Sequence, residues 1–299
     1  MQSQIESPVV KQPTHRYLVH TSAGDRSCLP RWLQGRRNFD LWVTYYGQVP
    51  GRYRELAEYY NVRKHGKFPN LQHVWRTWPH LLDRYDAVLT LDDDIVINAS
   101  GISRLFDIRA RYDLWLLQPA FDPRGKISHA VTRMRHTSFF RYTNFVEVAC
   151  VMFRKDKLDA FLRVFEPVLV GWGIDWWFLE VLGPNLMGKV AVVDVVTCRN
   201  PHDLTKGGQR EIDMLQPTAE RIAAWRRIKA KYDIRSEDRG IIEYGILPRS
   251  VFGKLAGMAR GALIVLPIKC RAKWRAALDR VQPGRLLAGV WEARTEGRG

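Results

Sequence analysis

Three consecutive carboxylates, Asp92, Asp93 and Asp94, close the uncharged run Ala87–Leu91. Like charges packed this tightly raise one another's proton affinity unless a cation sits among them. In an extended chain alternate side chains share a face, so Asp92 and Asp94 point the same way. Two oxygen ligands so placed suit a hard divalent ion, Mg²⁺ or Mn²⁺, which can in turn hold a diphosphate. The competing explanation is an acidic turn or a helix cap, because a bare D-x-D is frequent by chance.

A second cluster, Gly171-Trp172-Gly173-Ile174-Asp175-Trp176-Trp177, sets a carboxylate among three tryptophans just after two glycines. The glycines permit a strained turn, and Asp175 falls where a helix would begin, so plain dipole capping is one explanation. The other is chemical. Indole offers broad apolar area with a polar edge, which suits stacking on a sugar ring, and a neighbouring carboxylate can accept a proton from an attacking hydroxyl. A third signal is Val193-Asp194 at the end of an apolar run, followed by Asn200-Pro201-His202-Asp203. The His202 imidazole could complete a metal site, although a lone loop histidine is usually only solvated.

The elements that must bring these groups together alternate along the chain. Arg16–His20, Phe39–Tyr45, Ala87–Leu91, Leu114–Gln118, Phe145–Phe153 and Lys189–Val196 read as strands. Helical spacing marks Arg52–Tyr60, Lys157–Val164, Gly171–Leu182 and Leu71–Leu82, the last with Leu71, Val74, Trp75, Trp78 and Leu82 on one side. Thr21–Ser27 reads as a small polar loop, and Asp122–Arg141 as a polar, arginine-rich stretch. Strands alternating with helices predict an α/β fold with a mixed, mostly parallel central sheet covered on both faces. Such sheets hold ligands beyond the carboxyl ends of their strands, where the acid triplet falls. The expected layout is a disordered tail over 1–14, one domain over 15–246, and a basic amphipathic helical extension over 247–299.

Composition narrows the classes. With 299 residues, 46% hydrophobic and 26% charged, the chain can bury a sizeable core and is neither disordered nor repetitive. Its net charge of +16 points to a polyanionic partner: nucleic acid, an anionic membrane face or a phosphorylated small molecule. From Arg249 to Gly299 there are eleven Lys/Arg against three Asp/Glu, so half of the excess charge sits in the last sixth. There Gly261–Ile268 is uncharged, and Trp274, Leu278 and Val281 recur at helical spacing among basic residues. That pattern suits an anionic membrane surface, or equally a helix packed on the domain with a solvated charged face. No run approaches the roughly 20 apolar residues of a spanning helix, and the first residues lack a signal-peptide core. Cys28, Cys150, Cys198 and Cys270 are too scattered for a zinc ribbon or a disulfide framework. The expected location is therefore cytoplasmic, at most peripheral on the inner membrane face. No G-x-G-x-x-G, H-E-x-x-H or G-x-S-x-G occurs. Gly183–Lys189 nearly matches a phosphate-binding loop, but Val190 replaces the hydroxyl residue and a strand follows.

Taken in order, these motifs resemble the GT-A superfamily of nucleotide-sugar glycosyltransferases (a Rossmann-related fold), and more narrowly a plant-rich family of uncharacterised glycosyltransferase-like proteins. Where that family shows Y-D-Y-I-F-L-W-D-E-D, this chain has Tyr85, Asp86 and the run to Asp92–Asp94. Its S-Q-P-A-L-D-P is similar to Leu117–Pro123, its F-V-E to Phe145-Val146-Glu147, its W-G-L-D to Trp172–Asp175, and its G-V-V-D to Ala191–Asp194. Five ordered motifs span about a third of the chain. The family's histidine falls slightly earlier than His202, and the Arg249–Gly299 tail has no counterpart.

The resemblance implies that Asp92 and Asp94, with His202 in question, hold Mn²⁺ or Mg²⁺ and the donor diphosphate, and that Asp175 is a candidate catalytic base. With Asp175 as base the transfer would invert the anomeric centre, an outcome that rests on this residue alone. Asp93, Ser22, Asp25, Lys67 and Gln118 become donor-binding candidates. Glu147, Trp172, Gly173, Trp176, Arg133 and Arg141 become acceptor- or sugar-binding candidates. The implied partners are a nucleotide sugar, a UDP-sugar first, and a glycan or glycolipid acceptor, with an anionic membrane surface for 247–299. Nucleic acid is not favoured, since three carboxylates would face a polyanion. The alternatives left open are a nucleic-acid-binding protein or metal-dependent nuclease, and a non-catalytic membrane-surface scaffold.

Overall fold

The computed structural model describes residues 7–202 and 211–249. The predicted helical extension therefore lies outside the described residues from 250 onward, as does Asp203. The chain divides between Pro248 and Arg249.

Among the described residues, β1 (Tyr17–Ala23), β2 (Asp40–Tyr45), β3 (Tyr59–Val62), β4 (Ala87–Asp92), β5 (Leu116–Phe121), β6 (Ser138–Thr143), β7 (Cys150–Arg154), β8 (Val190–Cys198) and β9 (Glu243–Pro248) build one sheet. Its order is β3-β2-β1-β4-β7-β5-β8-β6-β9. Strands β1 to β4 pair in parallel, as do β5 and β8. Antiparallel β7 is inserted between β4 and β5, and β6 between β8 and β9. All strands but β6 and β7 thus share one direction, which is the mixed, mostly parallel architecture expected from the sequence.

Period-two alternation feeds both faces. Leu18 enters one core with Trp42, Phe68, Phe153, Phe161 and Trp177, while Val19 enters the other with Leu89, Phe106, Phe121 and Met152. Helices α1 (Leu29–Trp32) and α4 (Ala99–Arg111) cover the second face. The first is covered by α2 (Lys67–Thr77), α3 (Pro79–Leu82), α5 (Lys155–Val164), α6 (Ile174–Val181) and α8 (Thr218–Lys231). Short α7 (Glu211–Leu215) buries no residue.

Several expectations are corrected. Arg52–Tyr60 is not a helix: a single 3-10 turn over Arg54–Leu56 leads into β3. Long-range pairing overrides the local period, since Tyr59 stacks on Trp42 at 4.5 Å and the Glu58 carboxylate accepts the Leu41 amide at 2.7 Å. The 71–82 helix starts earlier, at Lys67, and breaks at Trp78, because Pro79 opens a separate turn. Phe145–Ala149 is a turn rather than strand, which frees Glu147 from sheet pairing. Thr21, Ser22 and Ala23 belong to β1 rather than to a loop. Helix α4, capped by the Asn98 side chain accepting from Gly101 N at 2.8 Å, was not expected. The tail is ordered from Pro8: Val10 N donates to Glu58 O at 2.8 Å and Tyr60 N to Pro8 O at 2.7 Å. Strand β9 runs to Pro248, two residues past the expected domain end.

Candidate active site at the carboxyl edge of the sheet

Strand β4 carries Asp92 to its tip, beside Ser22 on β1. Lys67, the first residue of α2, pairs with Asp92 Oδ1 at 2.7 Å and also donates to Val148 O at 2.7 Å and Ala149 O at 3.1 Å. Three ammonium protons thus meet one carboxylate and two carbonyls, which saturates the group. Lys67, expected to bind donor, instead staples β4 to the loop before β7. Asp93 Oδ2 accepts the Gly24 amide at 2.9 Å, so this carboxylate organises the turn after β1. Over that turn lies the Tyr46 ring, which a side chain on Gly24 would strike at 2.8 Å. Burial raises the Tyr46 hydroxyl far above its ordinary pKa, and the charges of Asp93, Glu211, Asp92 and Asp94 add to the shift. Those interactions bring the start of α7 to the same edge.

Glu147 occupies the turn before β7 and is buried. Its carboxylate accepts the Thr132 hydroxyl at 2.8 Å, while its own amide donates to Gln118 Oε1 at 2.5 Å. Burial pushes its pKa up to about 7; the Thr132 bond opposes this, and the charges of Asp175 and Asp92 reinforce it. Gln118, expected at the donor, is fully buried and spent on this amide.

Asp175 lies in the first turn of α6, half-buried, accepting the Trp176 amide at 3.1 Å. Burial lifts its pKa to about 7 against that hydrogen bond, and Glu237 adds a like charge. The turn before it requires glycine twice over. Gly173 has φ +82°, and a Cβ there would stand 2.1 Å from Trp225 Cδ2 of α8. The three tryptophans divide: Trp172 is 51% exposed, Trp177 is core, and Trp176 rests against Phe145 at 4.7 Å. His129 continues that ledge, 4.5 Å from Phe145. The Phe145–Trp176 contact joins the Glu147 loop to the Asp175 helix, and the charges of both Asp175 and Asp92 act on Glu147, so the three carboxylates are near neighbours.

The remaining candidates are engaged in other contacts. Arg141 is fully buried; its Nε and NH2 donate to Asp194 at 2.8 and 2.9 Å, and NH1 and NH2 to Val131 O at 2.6 Å and Arg133 O at 2.8 Å. Asp194 further accepts Arg135 N at 2.8 Å and the Ser138 hydroxyl. This pair is a structural node rather than an acceptor contact, and Arg133 joins it through its carbonyl while its side chain is exposed. Asp25 accepts the Tyr45 hydroxyl and the Gln48 amide at 2.9 Å, shaping the loop after β2. Ser22 accepts Asn70 Nδ2 at 2.8 Å. His202 is exposed, three residues past Arg199, whose backbone pairs with Val96 beyond the acid triplet. Sequence reasoning missed Thr132, His129, Tyr46, Asn70 and His20. His20 is buried beneath the site, its pKa lowered to about 3 by burial and then by Lys67. The signal for it was a polar His-Thr-Ser triplet inside a strand.

Hard carboxylate oxygens on Asp92 and Asp94 fit Mg²⁺ or Mn²⁺ only with help. Lys67 already engages one Asp92 oxygen, and no group of three metal-binding side chains forms among the described residues. Two protein carboxylates completed by substrate phosphates and water are the usual surroundings of Mg²⁺. The donor set fits on those terms, without His202 in a three-ligand cluster.

No family model and no curated protein matches the chain. Similar solved structures include S. aureus TarS, 11% identical with a TM-score of 0.47, covering 73% of this chain. The chain spans 44% of the length of that TarS structure. A mycobacterial protein is 12% identical with a TM-score of 0.44, covering 67% of this chain and 72% of its own. S. aureus TarS 1–349 in complex with UDP is 12% identical with a TM-score of 0.41, covering 87% of this chain and 78% of its own. Among the described residues no helix is long and apolar enough to cross a membrane.

Proposed function

We propose that this protein is a glycosyltransferase that moves a sugar from a nucleoside-diphosphate donor, a UDP-sugar first, to a hydroxyl of a glycan or glycolipid. The observation that carries the reading is the convergence of Asp92, Glu147 and Asp175 at the carboxyl edge of the sheet, beside the Trp176–Phe145–His129 ledge. The resemblance of the five sequence motifs to the GT-A superfamily supports it. Asp94 and Asp92 would hold Mg²⁺ or Mn²⁺, which when bound offsets charge developing on the leaving diphosphate. The half-buried Trp176, backed by the buried Phe145, and the exposed Trp172 offer apolar faces to sugar rings. Asp175, with a pKa of about 7, is poised to take the proton of the acceptor hydroxyl for in-line attack and inversion. Glu147, hydrogen-bonded by Thr132, is a second carboxyl on which the Asp175 charge acts.

The test combines binding with turnover. Nucleoside diphosphates with Mn²⁺ should raise the melting temperature of the native chain, because they bind only the folded state. Asp94→Ala should abolish transfer while the unliganded protein still melts cooperatively, and Asp175→Asn should lose turnover but keep the donor-induced shift. Normal turnover by Asp175→Asn would refute the base assignment; no shift with any nucleoside diphosphate would refute the donor class.

A further inference from the structure

The turn between β3 and α2, Arg63-Lys64-His65-Gly66-Lys67, places four basic side chains in five residues. Lys67 is consumed by Asp92 and two carbonyls, but Arg63 is not neutralised in this way. Its half-buried guanidinium donates to Asn70 Oδ1 at 2.5 Å, and no carboxylate pairs with it among the described residues. Three other sheltered arginines are neutralised: Arg141 pairs with Asp194, Arg37 with Glu58 and Arg221 with Asp213, whereas buried Arg109 has no such pair among the described residues. A guanidinium carries five N–H donors in a planar fork matched to phosphate oxygens, so most of this fork stays available to a ligand. Burial lowers the Arg63 pKa, and no acidic group acts against that shift. Withdrawing a charge from water without a counter-charge is costly, and a bound anion would recover that cost.

The turn also sits at the right place. Asn70, which accepts from Arg63, donates to Ser22 Oγ at 2.8 Å, and Ser22 lies opposite Asp92 in the β1–β4 register. On the other side, a Cβ on Gly66 would meet Val170 Cγ1 at 2.8 Å and Val170 O at 2.9 Å. The turn therefore abuts the segment that leads into Gly171 and Trp172. It is thus tied on one side to Ser22, opposite Asp92, and on the other touches Val170, next to Gly171.

We infer that Arg63 is an anion-binding residue of this site and takes a phosphate group carried by the donor or by the acceptor. Which molecule brings the phosphate rests on the transferase reading; the site itself does not.

The experiment is calorimetric titration of the full chain and of Arg63→Ala and Arg63→Lys. The probes are UDP with Mn²⁺, inorganic pyrophosphate, glycerol 3-phosphate and uridine. Wild type should bind UDP and pyrophosphate, and Arg63→Ala should weaken both by about 10- to 100-fold, the size of a lost charge-assisted hydrogen bond. Arg63→Lys, which keeps the charge and loses the fork, should fall in between. Uridine binding should not change. Equal binding by wild type and Arg63→Ala overturns the inference, as does parallel loss of uridine, which would make Arg63 a nucleobase contact. Wild type that binds none of the phosphate probes overturns it too. If pyrophosphate or glycerol 3-phosphate binds through Arg63 while UDP gains nothing over them and uridine does not bind, the anion site stands and the donor reading fails. Unchanged melting of the unliganded variants confirms that they fold.

Discussion

Glu147 and Asp175 both hold protons near neutrality, for the same first reason and with different opposition. Burial raises each; a hydroxyl from Thr132 restrains Glu147, whereas a backbone amide from Trp176 restrains Asp175. The Asp175 charge acts on Glu147, so ionisation of Asp175 discourages ionisation of Glu147. A base must be ionised to accept a proton, so kcat/KM should rise with pH on a limb centred near 7. Stability should move the opposite way. Both folded pKa values lie above the unfolded ones of about 4, so the native state binds more protons than the unfolded chain between about pH 4 and 7. Stability from this source is full below about 4 and declines as pH rises through about 7. Melting Glu147→Gln and wild type from pH 4 to 8 should show the flatter decline in the variant. Its kcat/KM limb should also lie at lower pH, since a like charge has been removed. An unshifted limb would show that the two carboxyls titrate independently.

At the level of elements, Arg141 and Asp194 show how a motif can be read correctly and its role misread. The apolar run ending in Asp194 marks a strand end, and β8 does place the residue there. That the carboxylate turns inward to meet Arg141 on neighbouring β6 depends on long-range strand pairing, which local spacing does not encode. The acid triplet was legible because three charges ending an apolar run are costly in any fold; Gly173 was legible as a turn, but its clash partner Trp225, some fifty residues on, was not. Lys67 was legible as a basic residue near the site and not as a staple, because its partners sit on β4 and in the turn before β7. Strand β3 was missed for a related reason: its aromatic residues fit both periods until Trp42 stacks on Tyr59. The buried pair supports a prediction of its own. Asp194→Asn leaves the Arg141 guanidinium buried with no full counter-charge nearby except Glu243 at 3.4 Å. Urea unfolding should register a loss of about 3–5 kcal/mol, the usual consequence of orphaning one partner of a buried ion pair. Substituting both residues, Arg141→Met with Asp194→Leu, should recover much of that loss. A single variant as stable as wild type would remove the pair from the list of what holds β6 to β8.

For the whole molecule, the relevant quantity is where the charge lies. Eleven Lys/Arg less three Asp/Glu give +8 over Arg249–Gly299, leaving 16 − 8 = +8 for the first 248 residues. Charge so concentrated in 51 residues acts on an anionic surface far more strongly than the same charge spread out, at about 1 kcal/mol per basic residue near the surface. Where to separate the two parts is dictated by β9, which pairs with β6 from Thr143↔Glu243 to Ser138↔Pro248. A chain ending at 246 would cut that strand, so its failure could reflect a damaged sheet; one ending at Pro248 keeps every described pairing. Truncation after Pro248 should leave the melting transition and donor-induced shift intact while abolishing co-sedimentation with vesicles containing anionic lipid. The full chain should bind those vesicles at low salt, release them as ionic strength shortens the Debye length, and ignore neutral vesicles. Equal sedimentation of the two chains would assign the attraction to the sheet domain, and sedimentation of the full chain with neutral vesicles would make the uncharged Gly261–Ile268 run, rather than the basic residues, the determinant of attachment.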